Sequence, residues 1–304
     1  MSAELVALSN ALALAAERAA ASVVAVHTGA RGSSSGVHWR AGVIVTAEHA
    51  LRRDEEIRIT LPEGRVVAAT LAGRDPATDL AVLRTEGGVL ATAELAPADP
   101  LQVGSLALVV GRTRESGPVA ALGVISLVTH ERRTWSGGRL SPYVRLDVGL
   151  QPTASGGAVV DAGGRVLGVA TPRLTPFGAV AIPTRVVNRV AEALLEKGHI
   201  PRGFLGVGLQ AVRLPEGLRH QLSLSASAAV MVVELEPNGP ATQAGVLLGD
   251  ILVSLEGKPL ADVEDVQLHL DSNSIGKQLR VQLIRGGALK DLAIVVGERS
   301  PRSH

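Results

Sequence analysis

Asp147-Val-Gly-Leu-Gln-Pro-Thr-Ala-Ser155-Gly-Gly157 places a serine in a proline- and glycine-rich turn that opens into the apolar run Gly157–Val160. Gly156 and Gly157 let the chain turn tightly enough for Ser155 to face a cleft. Alone, Ser-Gly-Gly is only a loop signal. Its weight comes from two segments upstream. Gly42-Val-Ile-Val-Thr-Ala-Glu-His49-Ala-Leu51 reads as a strand ending in a histidine, and Asp75-Pro-Ala-Thr-Asp79-Leu-Ala-Val-Leu83 sets an aspartate just before an apolar strand.

Outward from these segments, short β-branched runs separated by Gly, Ser and Asp fill residues 22–182. They are Ser22–His27, Gly42–Thr46, Glu56–Leu61, Arg65–Leu71, Leu80–Arg84, Leu106–Val110, Val119–Val128, Tyr143–Asp147, Gly157–Val160, Val166–Ala170 and Ala179–Ile182. Short strands every 8–12 residues or so argue for a mostly β protein, and about twelve over roughly 160 residues suit a double β-barrel. In front, residues 3–20 predict a helix from Leu5, Leu8, Leu12 and Ala15, so 1–21 is an N-terminal helical segment and 22–198 the barrel domain. Thr184 is expected to cap a helix running through Val186, Val190, Ala193 and Leu194 to Lys197, ended by Gly198. Residues 199–202, with Pro201, read as a linker. A strand-rich module follows over 203–298, with short helices near Ala241–Ala244 and Val263–Leu270, and 299–304 is a polar tail.

Composition narrows the function. The hydrophobic fraction is 46% with only 2% aromatic, so the cores must be built from Val, Leu, Ala and Ile. Thirty basic residues against 29 acidic ones give a net charge of +1 and no electrostatic case for nucleic acid. There is no cysteine, hence no disulfide or thiolate metal site. His27, His38, His130, His199, His220, His269 and His304 lack metal-ligand spacing and read as surface residues; neither metal nor cofactor is expected. No stretch reaches the roughly 18 uncharged apolar residues of a membrane helix. Met1–Ala20 carries Glu4 and no Lys or Arg before Arg18, unlike a secretory signal. The sequence as given therefore reads as cytoplasmic, or as a cell-envelope protein if upstream residues are missing.

A serine hydroxyl becomes a useful nucleophile when a neutral imidazole takes its proton and a buried carboxylate orients that imidazole. The carbonyl under attack also needs N–H donors, usually backbone groups beside the serine. His49, Asp79 and Ser155 follow the chain order of the chymotrypsin-type barrel. Singly, His49 reads as a structural residue at a strand end and Asp79 as a turn residue; it is the three together that point to hydrolysis.

These segments resemble the HtrA/Deg family of serine proteases, whose motifs run Val-Thr-Asn-x-His-Val, Asp-Leu-Ala-Val-Leu and Asn-Pro-Gly-Asn-Ser-Gly-Gly. Gly32-Ser-Ser-Ser-Gly36 and Ala181-Ile-Pro183 add to the likeness, which covers nearly all of residues 3–297. The resemblance implies a chymotrypsin-like double barrel followed by a PDZ domain, with His49 as general base, Asp79 its orienting carboxylate and Ser155 the nucleophile. It also implies an oxyanion hole at Thr153, Ala154 and Ser155. Here the sequence departs: the family has glycine where Thr153 stands and asparagine where Ala154 stands. If that glycine needs a positive φ, threonine holds it badly, and losing one oxyanion donor costs roughly 2.7–4 kcal/mol. The expectation is a slow or regulated endopeptidase. By resemblance, Leu150 and the Pro176–Val180 segment (Gly178, Ala179, Val180) line a specificity pocket for small or medium aliphatic side chains.

Gly203-Phe-Leu-Gly-Val207 resembles the carboxylate-binding loop of a PDZ domain, and Pro237-Asn-Gly-Pro-Ala-Thr-Gln-Ala-Gly-Val, Gly249-Asp-Ile-Leu-Val and Glu256-Gly-Lys-Pro match its most recognisable segment. A PDZ domain adds a peptide as an extra strand and captures its terminal carboxylate with backbone amides. Phe204, Leu205, Gly206 and Val207 are expected to supply those amides, and Val263, Val266 and Leu270 to face ligand or core. The expected partners are unfolded polypeptides or peptides with hydrophobic C-termini. Family members trimerise through N-terminal aromatics, absent from the first 37 residues here; Leu5, Leu8 and Leu12 either make a helical contact in a homo-oligomer or pack on the barrel. Arg132–Gly138 is read as an exposed loop. The leading function is degradation of unfolded or damaged proteins. A non-catalytic peptide-binding scaffold and a Ser-His-Asp esterase are the alternatives, the latter disfavoured by the PDZ module.

Overall fold

The computed structural model of the chain describes residues 3–28, 32–51, 56–86, 90–97, 101–133, 139–176 and 178–298. They form two compact units, divided between Ile200 and Pro201. The first opens with α1 (Ala3–Ala20) and continues with β1 (Val23–Thr28), β2 (Gly32–Arg40), β3 (Val43–Ala47), β4 (Ile57–Thr60), β5 (Val66–Asp75) and β6 (Leu80–Arg84). These six strands close a barrel in the order β1-β2-β3-β6-β5-β4. A second closed barrel, ordered β11-β14-β13-β12-β7-β8, is made of β7 (Leu106–Thr113), β8 (Gly117–Thr129), β11 (Tyr143–Asp147), β12 (Ala158–Val160), β13 (Val166–Thr171) and β14 (Ala179–Pro183). The two-residue strands β9 (Arg132–Arg133) and β10 (Arg139–Leu140) pair beside it; the expected loop over 134–138 lies outside the described residues. The double barrel is the chymotrypsin-like fold expected from the sequence.

Side-chain alternation explains how aliphatic runs build both barrels and the seam between them. In β3, Ile44 joins the core of the first barrel with Ile59, Ala81 and Leu83, while Val43 and Val45 face the other way. In β12, Val159 points into the second barrel with Val109, Val144 and Leu146, and Ala158 and Val160 face outward. The outward sets meet in one seam cluster. Helix α1 closes it with Ala15 and Ala19, and α2 (Thr184–Lys197) with Val186, Val190, Ala191 and Leu194. Burial on both faces is why these strands are nearly continuous apolar runs. Leu12 packs on this seam, whereas Leu5 and Leu8 are exposed.

Some details differ from expectation. Pro183, not Thr184, occupies the N-cap of α2 and makes no side-chain cap, although Gly198 does end the helix in the left-handed region. β2 escapes the sequence pattern because its Ser33-Ser34-Ser35 run lacks β-branched residues. His27 and His38 are buried, not superficial: His27 bonds Thr60 Oγ1 at 2.7 Å and His38 Nδ1 the Ala91 carbonyl at 3.0 Å. Burial, reinforced by Arg114, pushes the His27 pKa down.

The second unit contains β15 (Gly203–Phe204), β16 (Val207–Arg213), α3 (Glu216–Leu222), β17 (Ala228–Leu235), α4 (Pro240–Gln243), β18 (Ile251–Leu255), β19 (Lys258–Pro259), α5 (Val263–Gln267), β20 (Gln278–Arg285), β21 (Ala288–Val295) and β22 (Gly297–Glu298). Its main sheet runs β16-β17-β18-β20-β21, which leaves β16 at an edge. One sheet face carries Leu205, Val230, Leu252, Val266 and Leu283; the other packs Leu218 and Leu222 of α3 against Ala229, Val253 and Ile284. The sequence reading missed α3. Buried Asp250 is gripped twice by Arg285, at 2.8 and 2.6 Å, and by the Leu247 N–H at 2.8 Å. Burial alone would raise its pKa, but Arg285 and the Leu247 N–H outweigh that and hold it below the ordinary carboxylate value.

Candidate active site

The first barrel supplies a base and a carboxylate. His49 sits in a 3-10 turn, Glu48–Ala50, directly after β3. Asp79 lies in the connection from β5 to β6 with φ 54°, a left-handed conformation that Asp tolerates better than most residues. Asp75 shapes that turn, accepting from the Thr78 hydroxyl at 2.7 Å and the Ala77 N–H at 3.3 Å. The two segments are then tied together. The Glu48 N–H donates to the Asp79 carbonyl at 3.1 Å, and the His49 N–H donates to Asp79 Oδ1 at 2.9 Å. His49 Nδ1 lies 2.7 Å from Asp79 Oδ2.

The second barrel supplies a hydroxyl. Ser155 follows a 3-10 turn, Pro152–Ala154, and its Oγ is 3.3 Å from His49 Nε2. Asp79 and Ser155 are 2% and 1% exposed, while the imidazole between them keeps 22% of its side-chain surface open. A base reached by solvent on one edge and held by a buried carboxylate can take a proton from the hydroxyl. Gly156 makes the approach feasible: its φ is 79°, and a Cβ there would stand 2.3 Å from the Ser35 carbonyl and 2.6 Å from the Ala47 nitrogen.

Thr171, at the end of β13, was not singled out from the sequence. Its Oγ1 donates a short hydrogen bond to Asp79 Oδ2 and accepts the Arg173 N–H at 3.0 Å. The only signal was a hydroxyl closing an otherwise apolar strand. Ser35 also went unassigned, although it stands in the quoted Gly32–Gly36 motif. It is fully buried, its N–H donates to the Ser155 carbonyl at 2.8 Å, and its Oγ donates to the Thr153 carbonyl at 2.6 Å.

The residues expected to form an oxyanion hole are turned inward in this conformation. The Ser155 N–H donates to the Pro152 carbonyl at 3.2 Å and the Ala154 N–H to the Gln151 carbonyl at 2.9 Å. Thr153, inside the 3-10 turn, is not among the residues with positive φ. The side chains expected to form a specificity pocket divide between two clusters. Leu150 and Ala179 share the second barrel's apolar cluster, but Val180 faces the seam with Tyr143 and Ile182. Gly178 has φ 68° and approaches the Leu146 carbonyl; residue 177 of that segment lies outside the described residues.

In the second unit, the Leu205 carbonyl accepts from the Ala241 N–H and the Gly206 carbonyl from the Glu236 N–H, each at 2.8 Å. These bonds fix the Phe204–Val207 loop beside the edge strand β16. Val207, Leu209, Val263 and Leu270 are half-buried along this side. Leu205 and Val266, at 2% and 1% exposed, are core residues, so Val266 does not present its side chain to a ligand. Among the described residues, no group of three or more His, Cys, Asp or Glu could hold a metal ion.

Two family matches coincide with the two units. Residues 34–169 match the trypsin-like peptidase domain and residues 203–296 the PDZ domain. The combination defines the class, a trypsin-like barrel joined to a PDZ module. The chain is 30% identical over 261 residues to a probable periplasmic serine endoprotease, DegP-like, of Ectopseudomonas mendocina, covering 84% of this chain and 54% of that protein. It is 30% identical over 267 residues to the serine protease Do-like HtrA of Lactobacillus helveticus, covering 83% and 64%. The chain spans about half the length of the DegP-like curated relatives it matches. Among solved structures, the HtrA-type protease AlgW with a decapeptide superposes with a TM-score of 0.75 at 26% identity, covering 96% of this chain and 99% of that one. A serine endoprotease from Yersinia pestis gives 0.73 at 28%, covering 95% and 98%. The chain belongs to the HtrA/Deg family, as its motifs implied.

Proposed function

We propose that this protein is a serine endopeptidase acting on unfolded or damaged polypeptides. The observation that carries the reading is His49 standing 2.7 Å from Asp79 and 3.3 Å from Ser155, across the seam of two barrels. In this mechanism Ser155 Oγ attacks the scissile carbonyl while His49 Nε2 takes its proton. Asp79, held by Thr171 and by the His49 N–H, keeps Nδ1 protonated and stabilises the imidazolium. His49 then returns the proton to the leaving amine, and water releases the acyl group by the same route. Leu150 and Ala179 favour a small or medium aliphatic side chain at the cleaved position.

The oxyanion needs the N–H groups of Thr153 and Ser155. Turning the Pro152–Thr153 peptide frees the latter and swings the former into the cleft, so the enzyme works by passing from the closed loop to an open one. The PDZ unit takes part by binding peptides with hydrophobic C-termini: the free edge of β16 adds a strand, and Val207, Leu209 and Val263 offer apolar contact. The solved relatives with bound peptides support this assignment. The cell envelope, the second of the two locations expected from the sequence, is the reading that the relatives named periplasmic support. Among the described residues, no helix is long and apolar enough to cross a membrane.

The second reading is a peptide-binding scaffold without catalysis, and the inward-turned Ser155 N–H is what favours it. A fluorophosphonate probe separates the two. Labelling confined to Ser155, with cleavage of unfolded casein that Ser155→Ala lacks, is the expected result. No labelling and no cleavage, even with peptides ending in hydrophobic residues, would leave the scaffold standing.

A further inference from the structure

Ser35 touches the nucleophile loop at two points, and what holds Ser35 comes from elsewhere in the unit. Its Oγ donates to the Thr153 carbonyl at 2.6 Å and accepts the Arg112 backbone N–H at 2.8 Å. Its N–H donates to the Ser155 carbonyl at 2.8 Å, and its own carbonyl accepts the Thr46 hydroxyl at 2.7 Å. Arg112 is anchored in turn: Nε donates to the Val23 carbonyl at 2.6 Å and Nη2 to the Ala20 carbonyl at 2.8 Å. Ala20 ends α1, where a helix presents unpaired carbonyls and a partial negative charge that a cation satisfies. Arg112 is only 6% exposed, and burial pushes its pKa down. Gly111 lets this strand lie close, since a Cβ there would stand 2.7 Å from Ala154 Cα and 2.8 Å from Ser35 Oγ.

We infer that Ser35, oriented by Arg112 from the end of helix α1, is a positioning residue for the nucleophile loop. This rests on the reading of Ser155 as nucleophile. With the Thr153 and Ser155 carbonyls both clamped, and the Gly156 N–H held by the Ala170 carbonyl at 2.8 Å, rearrangement is confined to the Pro152–Thr153 peptide. Ser155 stays beside His49 while that one peptide turns. Without the clamp the whole segment shifts, and hydroxyl, base and oxyanion donors lose register together.

The test uses the full chain with Ser35→Ala, Arg112→Lys and the double variant. Steady-state peptide hydrolysis and amide hydrogen exchange over residues 151–157 are measured together. Removing one buried hydroxyl that pairs a carbonyl is expected to lower kcat about tenfold with KM and the acid limb of the pH profile unchanged, and to speed exchange across 151–157. Arg112→Lys should do the same to a smaller degree. The double variant should lose less than the product of the two single losses, because the residues act in series. Wild-type kcat and exchange in a folded Ser35→Ala protein would overturn the proposal, as would a loss that merely tracks the unfolded fraction. If Ser35→Ala does not fold, Ser35→Cys, whose thiol is only a weak donor, with unchanged kcat and exchange overturns it equally. If the wild-type chain hydrolyses nothing, the protease reading fails, and the exchange comparison still decides whether Ser35 holds the loop.

Discussion

Replacing Thr153 with glycine should speed the proposed hydrolysis. In the 3-10 turn Pro152–Ala154 the Ser155 N–H is given to the Pro152 carbonyl, and φ in such a turn lies near −50 to −70°. Opening the hole turns one peptide plane by about half a revolution. With the Thr153 carbonyl held by Ser35, that rotation falls on ψ of residue 152 and φ of residue 153, carrying the latter to roughly +110 to +130°. Only glycine occupies this region freely; a strained φ of that kind costs a β-branched residue on the order of 1–3 kcal/mol. Each 1.36 kcal/mol is tenfold in rate, so Thr153→Gly should raise kcat by about tenfold, with KM little changed. The assay is hydrolysis of a fluorogenic peptide with an aliphatic residue before the scissile bond, alongside the rate of fluorophosphonate labelling. A folded Thr153→Gly protein with wild-type or lower kcat would refute the reasoning, because opening would then cost threonine nothing.

Gly156→Ala should destabilise the first unit by at least about 2 kcal/mol, from a positive φ combined with a backbone clash; urea unfolding monitors it, and an unchanged midpoint contradicts the geometry in which Cβ meets the Ser35 carbonyl at 2.3 Å. For Asp250, whose folded pKa lies below its unfolded value, the stabilisation is fully present above pH about 4 and is lost as pH falls through the folded pKa. Melting of the second unit should therefore drop on acidification below pH 4, and Asp250→Asn should flatten that dependence while lowering stability at neutral pH. Val263→Asp should weaken binding of a fluorescent peptide with a hydrophobic C-terminus at least tenfold. Fluorescence anisotropy reads this, and unchanged affinity would remove α5 from the groove.

Local pattern carried much of this architecture. The β-branched runs at Leu80–Arg84 and Tyr143–Asp147 coincide with β6 and β11 to the residue, because a strand is signalled by its neighbours in sequence. The order of His49, Asp79 and Ser155, and the glycines around the serine, were legible for the same reason: turn chemistry is local. Barrel closure decided the rest. Thr171 meets Asp79 across 92 positions, Ser35 meets Thr153 across 118, and Arg112 reaches Ala20 across 92. Such partners leave no periodicity behind, only a lone hydroxyl or guanidinium that could equally face water. Closure likewise buried His27 and His38 and sent Val180 to the opposite face from Ala179. Even Thr153, whose departure from the family pattern was evident in the sequence, needed the tertiary structure to show where the neighbouring N–H groups point. The Ser155 N–H points at the Pro152 carbonyl, and Ser35, which holds the Thr153 carbonyl beside it, comes from a strand distant in the chain.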